Sequence, residues 1–385
     1  MYPNLYFLVR ELFGIELSFL KAIGSFGFFM ALGFIPGAWL WKRELKYKEK
    51  KGELPYITKT VISGGGINIG LIILHFILGF IAGFKLVGLI IYQPVLNNSY
   101  FFSRQGSYTG GLICAIAWAV FTFYEGYKTR NEKPHSETVH VYPHEYVSQG
   151  VIVSAVSGII GAKFFGLSEN WDEFLKDPMV NLISSEGFTF LGGFIVASIV
   201  MWIYYRRFGI FRVCMADTIA PVLMLCYALG RIGCQIAGDG DWGINNPQPN
   251  PFTWLPDWLW SYDYPHNIIR KGIYMPDCAG WDDFCYRLAV PVYPTPLYEL
   301  ILGLIIVAIL LFTLRKEKIT GRVSAYCFML MGIERFFIEK IRVDVRYSFW
   351  GLNPTQAEIL SVCCFCFGVC LYFIAPKLKV NNQKK

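Results

Sequence analysis

The sequence predicts an all-α fold: a polytopic membrane helical bundle of about nine transmembrane helices, with the N-terminus outside and the C-terminus in the cytoplasm. Three observations carry this expectation. Of 385 residues, 54% are hydrophobic and only 16% charged, too few charges to cover a water-soluble protein. Mean hydropathy is +0.41, and apolar runs long enough to span a bilayer recur along the chain. Lysines and arginines gather in alternate loops, so the net charge of +7 reads as a topology signal, and no nucleic-acid partner is expected. The N-terminal stretch MYPNLYFLVRELFG lacks the basic, apolar and small-residue regions of a cleavable signal peptide.

The first span, 17–41, runs into Lys42, Arg43, Lys46, Lys48, Lys50 and Lys51, which belong in the cytoplasm. The second, 61–83, begins at the SGGG of 63–66 and carries His75; the third is 108–124. The loop 85–107 between them, poor in charge, is external, and 125–147, with Lys128, Arg130 and Lys133, is cytoplasmic. His135, His140 and His144 in that segment are irregularly spaced near Pro134 and Pro143, so a solvated loop is expected there, not a metal site. The fourth span, 148–166, is rich in small residues suited to close packing, and the acidic SENWDEFLKDP after it is an external loop. Glu186-Gly187 leads into the fifth, 188–205, which contains Gly192-Gly193 and ends at Arg206, Arg207 and Arg212.

The sixth span lies within DTIAPVLMLCYALGRIGCQIAGDGDWG, residues 217–243. Arg231 sits between Gly230 and Gly233 before the apolar run ends. A guanidinium at that depth is costly without a partner or polar cavity, so it is read as marking a functional site, the alternative being an arginine that snorkels to lipid phosphate or pairs with a neighbouring helix. The glycines admit a ligand or another backbone. Gly238, Asp239 and Asp241 then form an acidic turn. Residues 239–292 are a long external insert, read as a lid, with Trp254, Trp258 and Trp260 as an interfacial anchor. Cys278 and Cys285 in it either form a disulfide or are free and buried among aromatics. The seventh span runs from YPTPLYEL to Leu314, before Arg315, Lys316, Lys318 and Arg322; the eighth is 323–341 and the ninth 356–375, with Lys377, Lys379, Lys384 and Lys385 in a cytoplasmic tail. Cys363, Cys364, Cys366 and Cys370 lie in the apolar run of the ninth and are expected to be packing residues. The chain reads as one membrane-embedded domain, 1–385.

The intramembrane charges gather toward one side. Arg231, Asp239 and Asp241 end the sixth span; Tyr298 and Glu299 start the seventh; Glu334, Arg335, Glu339 and Arg342 end the eighth. Arg335, Glu339 and Arg342 are spaced to share a helix face. One reading is a structural ion pair between the seventh and eighth helices. The other is a clamp for a phosphodiester, which guanidinium binds at two points.

Residues 217–243, the YPTPLYE entry and the ERFFIEKIR end of the eighth span together resemble the prolipoprotein diacylglyceryl transferase family. The resemblance covers the first span and residues from about 145 to the C-terminus, and makes 61–124 an inserted helix pair. It implies transfer of a diacylglyceryl group from phosphatidylglycerol to a lipobox cysteine of a prolipoprotein, in the outer leaflet of the bacterial cytoplasmic membrane, without a cofactor. It places the family's essential arginines on Arg231 and Arg335, its acidic partner on Glu339 and a further arginine on Arg342. It also implies departures. Leu191 stands for a histidine, Phe26 for a tyrosine, Cys234 for an asparagine, Tyr293 for a histidine and Pro296 for a glutamine.

Such chemistry needs cationic stabilisation of a leaving phosphate, loss of the thiol proton and access from the bilayer. Arg231, Arg335 and Glu339 are the expected catalytic residues, with Asp239 or Asp241 as the proton acceptor. Gly230, Gly233, Gly238, Gly192, Gly193, Tyr298, Glu299 and Arg342 are expected around the substrate. Two rivals remain: the same donor with another acceptor, and a silent relative that binds phospholipid or a partner.

Overall fold

The computed structural model describes residues 1–63, 67–92, 105–128, 135–169, 171–183, 189–207, 213–342 and 354–382. In chain order the helices are α1 (Leu5–Phe13), α2 (Ser25–Lys50), α3 (Ile69–Tyr92), α4 (Tyr108–Lys128), α5 (Val147–Glu169), α6 (Trp171–Lys176) and α7 (Pro178–Ile183). Then come α8 (Phe190–Arg207), α9 (Val213–Ala237), α10 (Asp257–Trp260), α11 (Thr295–Lys316), α12 (Arg322–Glu339) and α13 (Gln356–Asn382). The strands are β1 (Ile57–Ser63), β2 (His135–Val141), β3 (Ile273–Tyr274) and β4 (Tyr286–Arg287). Among the described residues, 6 helical segments are long and apolar enough to cross a membrane: α3, α4, Pro143–Glu169, α9, α11 and 356–377 of α13. The long helices α2, α8 and α12 are not among them. Lysines fill the end of α2, Arg206 and Arg207 close α8, and Glu334, Arg335 and Glu339 sit in α12. The chain is a polytopic helical membrane protein.

The contacts divide into two compact units. The first takes Met1–Glu16, Ile23–Leu54 and Phe211–Lys385. Here α9 is the hub, packed on α2, α11 and α12, with α13 outside α12. Its core joins Ala220 and Met224 of α9 to Ile306, Leu310 and Leu314 of α11 and Val323 and Cys327 of α12. Small residues set the distances. A Cβ on Gly233 would lie 2.9 Å from the Phe26 carbonyl oxygen of α2, so glycine is what lets these backbones meet. At the other end of α9, Asp217 caps α12, accepting the Gly321 amide at 2.6 Å and the Ser324 amide and hydroxyl at 2.9 Å. A carboxylate there satisfies orphan amides and the positive end of the helix dipole. Nearby, the fully buried Glu44 takes Arg43 at 2.9 Å and Arg315 at 2.8 Å, tying α2 to α11.

The second unit takes Leu17–Ala22 and Pro55–Ile210. Its α3 and α4 are antiparallel, with Gly79 against the Cys114 carbonyl, Gly83 against the Gly110 carbonyl, and His75 Nδ1 2.7 Å from Thr122 Oγ1. The α5–α8 pair repeats the device, with Gly193 on the Gly158 carbonyl. Strands β1 and β2 pair antiparallel from Ile57↔Val141 to Ser63↔His135.

Several expectations change. The second span does not begin at 61: residues 57–63 are a strand and the helix runs 69–92, because the β-branched ITKTVIS finds a partner in HSETVHV. That partner also makes 135–141 a strand within the expected loop 125–147, and the acidic loop SENWDEFLKDP contains α6 and leads into α7, which starts at its final proline. The first long helix starts at Ser25, not 17, after a short 3-10 turn, and runs on through the lysines to Lys50. Cys363, Cys366 and Cys370, expected as packing residues, are exposed on α13, and only Cys364 is half-buried. Gly64–Gly66, the loops near 95 and 350, and Arg130, Lys133, Pro134, Glu186, Gly187, Arg212, Lys384 and Lys385 lie outside the described residues.

Candidate active site

The site forms where α9 ends, α11 begins and α12 ends. The turn after α9 fixes it. Gly238 and Gly240 adopt left-handed φ values of 63° and 103°. The Gly243 amide donates to the Tyr293 carbonyl and the Ile244 amide to the Ile341 carbonyl, both at 2.8 Å. These bonds stitch the turn to the start of α11 and the end of α12. Thr295 adds a 2.7 Å bond from its hydroxyl to the Asp241 carbonyl.

Glu299, on the first turns of α11, is fully buried and stands at the centre. Arg231 Nε lies 2.7 Å from its Oε2, Arg335 Nη1 2.6 Å from its Oε1, and Arg342 Nη1 3.6 Å from Oε1. Asp241 bridges two of the same arginines: Oδ2 accepts from Arg231, and Oδ1 from Arg342 Nη2 at 2.7 Å. Arg335 also reaches Glu339, 3.4 Å away at i,i+4. Below them, the Arg231 guanidinium stacks 5.2 Å from the Tyr227 ring, whose hydroxyl donates to Glu334 Oε1 at 3.4 Å. Burial pushes Asp241 upward, but Arg342 and Arg231 outweigh it and hold its carboxyl below the usual carboxylate range. Burial and the adjacent Asp241 charge push Asp239 up.

Of the residues expected from sequence, the structure brings Arg231, Asp241, Glu299, Arg335, Glu339 and Arg342 together. Arg342 does so from beyond the helix: α12 stops at Glu339, not 341, and the three do not share a continuous helical face. Asp239 is adjacent, its Oδ1 accepting the Asp241 amide at 3.2 Å. Gly233 faces the Phe26 backbone of α2, so there the second backbone takes the expected opening, whereas at Gly230 the Met30 side chain of α2 fills it. Gly238 turns against Asn267 of the insert. Tyr298 donates to the Leu259 carbonyl at 2.8 Å and so holds the insert to α11. Gly192 and Gly193 pack on Phe165 and Gly158 within the second unit. Tyr227 and Thr295 were not singled out. Tyr227 precedes Arg231 by four residues, the helical spacing that places it under the guanidinium. No comparable signal marks Thr295.

Cys234, Asp239 and Asp241 bring three possible metal-donor atoms within 4.8 Å of one another. Both Asp241 oxygens already hold guanidiniums, whose charge opposes a cation there. Cys234 Sγ lies 3.6 Å from Arg231 Nη1.

The insert, expected as a lid, is tied down. Tyr264 is fully buried and donates to Gln235 Oε1 at 2.7 Å; the Ile268 amide donates to the Ala237 carbonyl at 3.0 Å. Cys278 and Cys285 form a disulfide. The loop it closes carries Trp281, stacked between His266 and Phe7 of α1, and Gly280, whose carbonyl accepts from Arg10. These are the contacts of a fixed cap. Trp254 and Trp258 remain exposed on it, whereas Trp260 packs on Tyr293 and Phe252.

Comparison with known proteins shows the family of the chain. A family model described as prolipoprotein diacylglyceryl transferase matches residues 107–374, more than half of the chain, and takes in α4 as well as the segment from 145 onward. Proteins called phosphatidylglycerol–prolipoprotein diacylglyceryl transferase are similar to it. That of Corynebacterium diphtheriae is 28% identical over 222 residues, covering 56% of this chain and 74% of its own. That of Hydrogenovibrio crunogenus is 26% identical over 279 residues, covering 71% and 90%. That of Methylococcus capsulatus is 30% identical over 226 residues, covering 57% and 74%. With its arginines and carboxylates gathered at the ends of α9, α11 and α12, inside the matched region, the chain belongs to the prolipoprotein diacylglyceryl transferase family.

Proposed function

We propose that this protein transfers a diacylglyceryl group from phosphatidylglycerol to the thiol of a lipobox cysteine. The observation that carries this reading is the placement of Arg231 and Arg335 on opposite oxygens of the buried Glu299. Two guanidiniums from different helices are thereby held side by side before a substrate arrives. Donors oriented in advance stabilise developing phosphate charge without reorganising in the transition state. In this reading Arg231 and Arg335 hold the donor phosphate, and Arg342 supports them. Glu299, Glu339 and Asp241 fix the guanidinium planes, Asp239 shapes the turn that presents Asp241, and Tyr298 anchors the cap.

The topology belongs to the same reading. Nine helices cross the bacterial cytoplasmic membrane with the N-terminus outside, residues 239–292 are an external insert, and 61–124 are an inserted helix pair. The arginine cluster then lies near the outer leaflet, where donor lipid and lipoprotein both arrive. A second acceptor class is the alternative, favoured by Leu191, Phe26 and Cys234 at positions where the family has other residues. Purified protein incubated with labelled phosphatidylglycerol and a lipobox peptide separates the possibilities. Label on the peptide thiol supports the proposal. Headgroup release with no labelled peptide points to another acceptor. Lipid binding without turnover rules out both.

A further inference from the structure

The transfer needs a group to take the thiol proton, and most carboxylates of the site are engaged. Glu299 holds arginines on both oxygens, as does Asp241, and Glu339 faces Arg335. A carboxylate paired in this way must give up a charge-assisted contact to accept a proton. Asp239 spends Oδ1 on the Asp241 amide. Glu334 differs in that no ion pair among the described residues engages it, whereas Glu299, Asp241 and Glu339 each face an arginine. It is 5% exposed, its Oε1 meets the neutral hydroxyl of Tyr227, and its Oε2 is buried without a hydrogen-bond partner among the described residues. It also belongs to the cluster: Tyr227 lies directly under Arg231, and Arg335 is its chain neighbour.

We propose that Glu334 is the proton acceptor for the attacking thiol, an inference that rests on the transferase reading above. The peptide sulfur forms a bond to the glyceryl carbon that carries the phosphate. The C–O bond to phosphate breaks, and its electron pair leaves with glycerol phosphate between Arg231 and Arg335. The thiol proton passes to Glu334 Oε2, giving a neutral carboxyl. The charged and titratable groups that face Glu334 are Tyr227 and Arg231 from α9, Glu299 from α11 and Arg335 on α12. Helix α13, also packed on α12, carries Glu358, which binds Lys340.

Glu334→Gln keeps an acceptor for the Tyr227 hydroxyl and removes the ability to take a proton. The expected result is a fall in kcat of about 100-fold or more, the low end of what a positioned base supplies, with KM for phosphatidylglycerol unchanged. The deficit should shrink as pH rises toward the ~8.5 of a free thiol, because the peptide then arrives already ionised. A purely structural loss has no such dependence. Should Gln fail to fold in detergent, Glu334→Ala is read by the same ratio to wild type across pH. An active wild type with full turnover by Glu334→Gln overturns this proposal and leaves the transferase reading intact. So does a deficit that is constant with pH, or its appearance in Asp239→Asn in place of Glu334→Gln. A wild type that transfers nothing overturns both.

Discussion

Arg231 balances a buried carboxylate and, in the proposed function, also holds the donor phosphate, and its variants should separate the two. It balances Glu299, whose carboxylate is fully buried, and it faces the position given to the donor phosphate. Arg231→Lys retains the charge but not the planar two-point contact. It should lower transfer tenfold to a hundredfold, about 1.5–3 kcal/mol, while the melting temperature in detergent changes little. Arg231→Ala should lose activity and also melt earlier, because it removes a cation from a buried carboxylate. Turnover and melting must be read on the same samples, and full turnover by Arg231→Ala would leave the phosphate clamp without support. Asp241 gives a second test. Its carboxyl is held below the usual range by Arg342 and Arg231, so its contribution to stability is complete above the unfolded value of ~3.9 and is lost as pH falls through the folded value. Asp241→Asn should therefore melt earlier than wild type at neutral pH, and the gap should close under acid. A gap independent of pH would contradict the two-arginine bridge.

At the scale of elements, the cap is held by a short covalent loop and an aromatic stack. The Cys278–Cys285 bond closes a segment of which Trp281 is the centre, between His266 and Phe7. A native disulfide in a small loop contributes on the order of 2 kcal/mol. Reduction should loosen residues 278–285 first, exposing them to a protease in detergent while α9, α11 and α12 stay protected. Equal cleavage with and without reductant would show that the stack alone holds the loop. The pairing of α2 with α9 is an element-scale matter too. The GRxG spacing was visible in the chain, but whether those glycines admit lipid or a helix was not; the partner, Phe26, is some 200 residues away in sequence.

For the whole molecule, the proposed orientation makes the cap external and the lysine-rich ends of α2 and α13 cytoplasmic. A cysteine introduced at Gln248 should react with a membrane-impermeant reagent added outside intact cells. One placed at Lys50 should react only after the membrane is opened. Labelling of the Gln248 position from the cytoplasmic side only would reverse the topology and move the arginine cluster to the inner leaflet.

Much of the fold follows from the chain alone because a bilayer is a simple solvent. An apolar run of twenty residues has to satisfy its backbone internally, so it becomes a helix wherever its neighbours are. Local signals of this kind placed α4, α5, α9, α11 and α13 within a few residues, and they marked Arg231, Glu299, Arg335 and Glu339 as charges out of place. They failed at β1 and β2, where each strand exists only because the other lies beside it, 72 to 84 residues away in sequence. They failed in the same way inside the site. Which carboxylate holds which arginine depends on how three helix ends meet. That meeting makes Glu299 the shared partner, turns Asp241 from a candidate base into a bridge, and leaves one buried oxygen of Glu334 without a partner among the described residues. Composition and spacing carry a residue's chemistry, whereas an ion pair is a property of two positions, and only the folded chain decides which two.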